Sequence, residues 1–520
     1  MTSMLQRVGP WCGAVLISFI SMNRGIAAEP VGQGYSFRGA HAPQVKPDPV
    51  AGELQQKLRQ LRDQLNSRSI QTTLTAAIEQ SLLHNPELAQ AYSQIQQGQW
   101  NLIAVRRQWY PTLSATSIGP SGGLWGYGGS STRSTSTASS GSTTVVTRVD
   151  QHTYQNRDQL AAQLSLAWTF FDPSRGPQIN AASENLRSQE LLFNVSARNL
   201  VLQTQLAYFN LQEQQHLIGA YEEILAATTS QVQQVEAAFN IGNASIADVE
   251  QIRTQQYQTL TLLIKTYLGL IDAASSLARA MALPPGQLAL PADHLESFGQ
   301  WDLSLDASIQ QAQVLREEIQ SSLAQANSAS WRASALLNRY WPRFALAANG
   351  SYTDLNRRQG LVGASSPDLL QSSSWDGAVG VGFNWSIFDG GIAAAEAQAS
   401  KALARQFSDQ AALQRLQITQ EVEQSYASYG TSRLALVSSR EQAQSARQAA
   451  MAIHERFNVG YADITSVVQT LNQAISAANA YSLSQREYNS AIASLYRASA
   501  QWPGDTLQLR DRRVDQLKRR

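Results

Sequence analysis

Residues 377–391 read GAVGVGFNWSIFDGG. Val379, Val381, Phe383, Trp385 and Ile387 alternate there with Gly380, Gly382, Asn384 and Ser386. A period of two with one apolar and one small or polar face is the pattern of a β-strand. Asp389, Gly390 and Gly391 then break the alternation, and helical periodicity follows. The same passage stands earlier in the chain. Leu164, Leu166, Trp168 and Phe170 alternate with Gln163, Ser165, Ala167 and Thr169, and Trp168 to Asp172 (WTFFD) precedes Trp385 to Asp389 (WSIFD) by 217 residues.

Two more signposts recur in the same order. Trp109-Tyr110-Pro111 is echoed by Tyr340-Trp341-Pro342, and Phe239-Asn240-Ile241-Gly242 by Phe457-Asn458-Val459-Gly460, 218 residues on. The chain thus reads as two copies of one unit, at 72–286 and 302–504, joined by a linker at 287–301. Each copy predicts helix, strand, loop, strand, helix, turn, helix. The helical stretches are 74–108 (divided at Asn85-Pro86), 180–238 and 246–281, then 303–340, 391–456 and 464–502. Some 60 residues at 1.5 Å each give rods of roughly 90 Å, which must pack laterally to be stable. Pro111 and Pro342 launch the outgoing strands, while Asp172 and Asp389-Gly390 mark the strand-to-helix turns, each Asp reading as an N-cap. Of the 15 residues Ser130–Thr144, 12 are Ser or Thr, which predicts a flexible exposed loop. Its counterpart, Asp354–Ser374, carries no such run.

The remaining segments bound the possibilities. Arg7, the mostly apolar Trp11–Met22 and the small Ala27 and Ala28 describe a signal peptide over 1–28. Residues 29–71 hold a Pro-containing arm and then Leu54, Leu58, Leu61 and Leu65 at helical spacing, a short amphipathic helix. The basic tail, 505–520, reads as solvated. Beyond the leader no run reaches the 18 apolar residues of a membrane-spanning helix, although a β-barrel needs none. Only 15% of the 520 residues are charged, against about 25% in ordinary soluble domains. The formal net charge of +1 argues against a nucleic-acid binder. The single Cys, Cys12, argues against a disulfide scaffold or a Cys-rich metal site.

Catalytic chemistry is not legible. The six His are scattered, and no zinc, nucleophile-elbow, phosphate-loop or dinucleotide pattern occurs, so neither an enzyme, a cofactor nor a metal is expected. Two hairpins give four strands, too few to close a membrane barrel. Either the strands cover a soluble core, or several chains pool them. Trp168, Phe170, Phe171, Trp385 and Phe388 sit at strand ends, where an aromatic girdle would meet lipid headgroups. They would equally serve a sandwich core. On these residues alone, a secreted coiled-coil structural or adhesin-like protein remains an alternative.

The duplicated unit, the proline-launched strands, the Phe-Phe-Asp and Ile-Phe-Asp-Gly-Gly exits and the two Phe-Asn-x-Gly turns resemble the TolC family of outer membrane efflux proteins, over residues 72–504. The resemblance implies a mainly α fold with a membrane β-barrel: a homotrimer pooling its strands into a 12-stranded barrel, continued by a long α-helical coiled-coil tunnel. It implies a location in the outer membrane lipid, with the helical part in the periplasm, and a passive exit duct for multidrug efflux, type I protein secretion or both. The implied partners are a periplasmic adaptor and an inner-membrane transporter of the ABC, RND or similar type. By the same resemblance Phe239, Gly242, Asp248, Phe457, Gly460 and Asp463 belong to the periplasmic tip and adaptor docking. The family's acidic tip positions fall here on Ser466 and Gln469, which with Asp463 are the constriction candidates. Three copies of Asp463 around a threefold axis would repel one another and favour cations.

Overall fold

The computed structural model describes residues 49–117, 123–140, 143–361 and 368–519. The expected signal peptide over 1–28 and the expected arm before residue 49 lie outside the described residues. In order come α1 (Pro49–Arg68), β1 (Ser69–Thr72), α2 (Leu74–His84), α3 (Pro86–Arg107), β2 (Thr112–Ser117), β3 (Gly123–Ser140), β4 (Thr143–Phe171), α4 (Arg175–Asn240), α5 (Ile246–Ala280) and β5 (Leu288–Pro291). The order then recurs as α6 (Leu305–Leu315), α7 (Glu317–Leu337), β6 (Arg343–Leu361), β7 (Asp368–Asn384), α8 (Ile392–Asn458) and α9 (Ile464–Ala498), followed by α10 (Thr506–Arg519).

The rods form as their sequences dictate. α4 has 66 residues and α8 has 67, so each spans about 100 Å. α4 is central: Leu200 and Val201 are buried against α2 and α3, and Tyr208, Phe209 and Leu211 against α5 and α9. Ala411, Ile418, Val422 and Tyr429 supply a narrow seam on α8, which leaves Leu413, Leu416, Leu434 and Val437 exposed. Midway along the rods β1 pairs in parallel with β5, from Ser69 opposite Leu288 to Thr72 opposite Pro291, and α1 packs on α5. This belt covers the main core, in which Tyr208, Phe209, Leu260 and Leu277 are buried.

Four expectations are corrected. The Ser/Thr-rich stretch is not a loop, because β3 and β4 pair through it from Gly123 opposite Leu160 to Ser140 opposite Thr143. The single helix expected over 303–340 is broken at Arg316, whose extended backbone (φ −67°, ψ 115°) separates α6 from α7. The strand ending at Ile387 stops instead at Asn384. The tail is also not free: it forms α10, with Leu517 buried among Ile78, Leu82 and Leu88. Arg510 of this helix lies over the Trp502 ring and donates to Asn194 Oδ1 at 3.0 Å.

Candidate functional site: membrane face, strand turns and helical tips

The sheet runs β2 and β3 successively along β4, then β6, then β7, all neighbours antiparallel. Period two places Leu113 and Ala115, Leu164, Leu166 and Trp168, Leu346 and Ala348, and Val379, Val381 and Phe383 on one face. Nothing in the fold covers it: Leu113 is 66% exposed, Val379 77% and Phe383 68%. The opposite face carries small and polar groups, with Ser114 and Ser165 hydrogen-bonded at 2.7 Å. Such a sheet is inverted relative to a soluble one, and the inversion matches a lipid-facing wall.

Aromatic residues bound this face at both ends. At the helical end a bulge between Thr169 and Phe171 sets Phe171 opposite Phe344, and Phe170, Phe171 and Phe383 all lie within 6.4 Å of the Phe344 ring. At the far end Tyr352 pairs with Trp375, which is 83% exposed. Neither is singled out in the sequence: they flank the expected loop Asp354–Ser374, which is likewise corrected, since β6 and β7 pair within it from Asp354 opposite Ser373 to Gln359 opposite Asp368. Phe344 and Tyr352 are eight residues apart, about 26 Å of strand, which a tilt of some 40° shortens to about 20 Å of height.

The strand turns are built twice over. Trp168 donates its indole N–H to the Trp109 carbonyl at 2.8 Å, and Trp385 to the Tyr340 carbonyl at 2.9 Å, so each returning strand is tied to the turn before Pro111 or Pro342. Asp172 accepts from the N–H and hydroxyl of Ser174 at 2.9 and 2.7 Å. Asp389 accepts from the N–H of Gly391 and Ala393, both at 2.9 Å, while Gly390 and Gly391 adopt φ of 70° and 83°. Both aspartates thus satisfy helix-start donors, though from two residues before the formal cap positions, Ser174 and Gly391.

At the other end of the rods the tips are also duplicated. α4 ends with Gly242 at φ 82°; Gly242 N–H bonds the Phe239 carbonyl at 2.9 Å and Asn243 N–H the Ala238 carbonyl at 2.8 Å. α8 ends alike, with Gly460 at φ 79° and bonds from Gly460 to Phe457 and from Tyr461 to Arg456. Both are Schellman closures. The next helices start with mirrored caps. Ser245 caps α5 and Asp248 returns the bond, its Oδ2 accepting from Ser245 N–H at 2.8 Å. In α9 Asp463 is the cap, its Oδ1 accepting from Ser466 N–H at 2.9 Å. The Ser466 hydroxyl and N–H hold the Asp463 carboxyl below the usual aspartate range. Ile241, Val459 and Tyr461 stand exposed at these tips, and Gln469 is exposed on the next turn.

A buried charged junction sits where the shorter helices meet, and nothing in the sequence pattern singled it out. Arg316 donates to Glu318 at 3.1 Å, to Glu421 at 2.9 Å and to the Ala498 carbonyl at 3.3 Å. In the first half Asn85 does the corresponding work, donating to the Ala280 carbonyl at 2.9 Å. Arg198 pairs with Glu317 at 2.9 Å, and Arg497 with Glu318 at 2.6 Å. Burial raises the Glu317 carboxyl. Burial would also raise Glu318, but Arg497 and Arg316 outweigh it and hold that carboxyl low.

The family model described as outer membrane efflux protein matches residues 77–283 and 308–501. Among solved structures, the Campylobacter jejuni CmeC outer membrane channel aligns with a TM-score of 0.63 at 15% identity, over 85% of this chain and 89% of that one. The outer membrane protein VceC of Vibrio cholerae aligns with a TM-score of 0.58 at 16% identity, over 82% and 96%. The open state of the Neisseria gonorrhoeae MtrE outer membrane channel gives 0.58 at 16%, over 82% and 89%. No curated protein matches the sequence. At such identities the structural likeness speaks for the fold, and the family match spans both halves. With its apolar strand face and paired helical rods, the chain belongs to the outer membrane efflux protein family, the TolC family, a non-catalytic outer-membrane component with its helical region in the periplasm.

Proposed function

We propose that three copies assemble into a passive exit duct. The observation that carries this reading is the sheet: its apolar face is exposed, and the outer edges of β7 on one side and of β2 and β3 on the other have no partner strand among the described residues. Three such sheets joined edge to edge make a closed barrel of 12 strands, counting β2 and β3 as one path along β4, and closure removes both edges. The rods continue the barrel as a tunnel through the periplasm. Its tips, with Phe239, Gly242, Asp248, Phe457, Gly460 and Asp463, receive a periplasmic adaptor, and Asp463, Ser466 and Gln469 lie at the constriction. An inner-membrane ABC, RND or similar transporter supplies the energy, and the cargo is small toxic compounds, secreted polypeptide or both.

The test is single-channel recording of purified protein in a planar bilayer, with the oligomer mass measured on the same sample. Discrete conductance steps from a trimer are expected. A monomer, or a trimer that stays in the aqueous phase and never conducts, refutes the duct and favours the coiled-coil structural protein.

A further inference from the structure

Two grooves flank the coil of α8 and α9 just above the tips, and they differ in chemistry. One, about 930 Å³, is lined by Val467, Leu471, Ala474 and Ala478 of α9 and by Arg447 and His454 of α8. It reaches Asp293, His294 and Leu295, just past belt strand β5. Its ionisable groups are engaged across it: Arg447 with Glu223 at 2.6 Å, His454 Nδ1 with Gln231 Oε1 at 2.7 Å. The other groove, about 960 Å³, is lined by Gln251 of α5, Gln442 and Ser445 of α8, and Gln469, Gln473 and Ser476 of α9, the rest being Ala, Val, Thr and Asn. Every residue lining it is an amide, a hydroxyl or an aliphatic.

Helical geometry puts the two grooves on opposite sides of the coil. On α9, positions 467, 471, 474 and 478 make one stripe, while 469, 473 and 476 lie about half a turn away. The belt cannot lie inside a conducting tube, because β1, β5 and α1 would fill it. The belt-side groove therefore faces out, and the amide-lined groove faces the lumen. Glu250 and Glu441, chain neighbours of Gln251 and Gln442, are not among the lining residues, while Asp248 and Asp463 are turned onto N–H groups at the starts of their own helices, whose dipoles offset part of their charge.

We infer that the duct wall just above Asp463 is electrically neutral, made by Gln251, Gln442, Ser445, Gln469, Gln473 and Ser476, so that this stretch admits anionic, neutral and cationic solutes alike and leaves charge selection to the tip carboxylates. Selective pores place rings of one charge at their narrow zone. Here the corresponding surface hydrogen-bonds weakly to any polar solute and holds none by charge. The inference rests on the trimeric duct proposed above and names the solute class this stretch of it accepts.

The experiment is the reversal potential of the purified Asp463→Asn trimer, from which the Asp463 tip carboxylates are removed, in a neutral-lipid bilayer under a KCl gradient. A K⁺-to-Cl⁻ permeability ratio within about twofold of unity is expected, and a ratio above about five overturns the inference. Ser476→Cys then tests the placement after folding, since the only other cysteine, Cys12, lies in the leader. A sulfonate-bearing methanethiosulfonate reagent, applied during recording and verified by mass, should shift the ratio several-fold toward K⁺. The ammonium-bearing analogue should shift it toward Cl⁻. A thiol in S476C that cannot be labelled, or labelling that leaves the ratio unchanged, removes this face from the lumen and overturns the inference. Gln473→Cys repeats the test should the first variant fail to assemble. A trimer that never conducts refutes the duct itself, and the inference with it.

Discussion

Replacing Arg316 by Met keeps the aliphatic stem and deletes the charge that breaks α6 from α7. The side chain is 5% exposed and holds three partners. Glu421 is 54% exposed, so its share is at most about 1 kcal/mol. The Ala498 carbonyl, left without this donor inside the junction, adds about 1 kcal/mol or more. Glu318, 16% exposed, keeps Arg497 at 2.6 Å, so losing one of its two cations costs less than the 3–5 kcal/mol of a fully broken buried pair. The expected loss is about 3 kcal/mol at neutral pH, read as apparent unfolding free energy from urea titrations of the purified protein at fixed concentration. Acid supplies a second reading. A carboxyl held low in the folded state adds stability above its unfolded pKa and loses it as pH falls through the folded one. The Glu318 contribution is therefore complete above about pH 4.5 and fades below it, so the deficit of R316M should narrow in acid. A variant within about 0.5 kcal/mol of the parent at pH 7, or a deficit that widens in acid, refutes the reasoning.

Helix ends offer predictions of opposite sign. Ala282 (φ 53°) and Ala500 (φ 59°) close α5 and α9 in the left-handed region, so A282G should raise stability by about 1 kcal/mol in the same titration, whereas in A500G the loss of a buried methyl, worth about 0.8 kcal/mol, cancels most of the gain. Gly242→Ala and Gly460→Ala should each lower it by about the same amount, because an added Cβ meets nothing within 4 Å and only the backbone conformation objects. His216 lines the belt-side groove, where it is exposed, but packs edge-on against Tyr481 with its Nδ1 2.8 Å from the Ser482 hydroxyl, and the desolvation by these neighbours depresses its pKa. The unfolded imidazole then takes up a proton first, so stability should fall as pH drops below about 6.5; His216→Gln should flatten that slope, as thermal melts at stepped pH would show.

How much of this was legible depends on whether the deciding interaction is local. Gly242 and Gly460 are readable because a left-handed closure needs no distant partner, and Asn85-Pro86 because proline stops a helix by itself. The strands at 164–170 and 379–383 show because one face is apolar and the other is not. The ribbon of β3 with β4 does not, since Ser and Thr occupy both faces and period two leaves no contrast; pairing with Val145, Val146 and Thr147 decides it. Val314-Leu315-Arg316-Glu317-Glu318 consists of residues that tolerate a helix, and only the pull of the Ala498 carbonyl and Glu421 opens it. The basic tail looks solvated by charge, yet Leu509, Val514 and Leu517 recur at helical spacing and dock it. The two helix-to-helix turns were readable as turns, but the exchange of Ser and Asp between their two caps is visible only from which atom accepts which N–H.

The sheet also fixes the order of assembly. Between the level of Phe344 and that of Tyr352, each outer edge exposes about eight backbone N–H and C=O groups, because alternate residues of a strand point both groups to the same side. In hydrocarbon each unmatched group costs several kcal/mol, so two open edges would oppose insertion of a single copy by tens of kcal/mol. Exposing the apolar face to water is unfavourable too, but its large side chains, Leu113, Leu164, Leu166, Trp168, Phe344, Leu346, Val379, Val381 and Phe383, together lose at most about 14–27 kcal/mol by remaining outside an apolar medium, against about 16 edge groups at several kcal/mol each. The edge penalty is the larger of the two, so lone protomers stay out of the membrane although their strand face is built for it. In the trimer proposed above, the edges must therefore meet before or during insertion, which would make oligomerisation the gate to the membrane and tie barrel closure to alignment of the rods, each about 100 Å long, on the same axis.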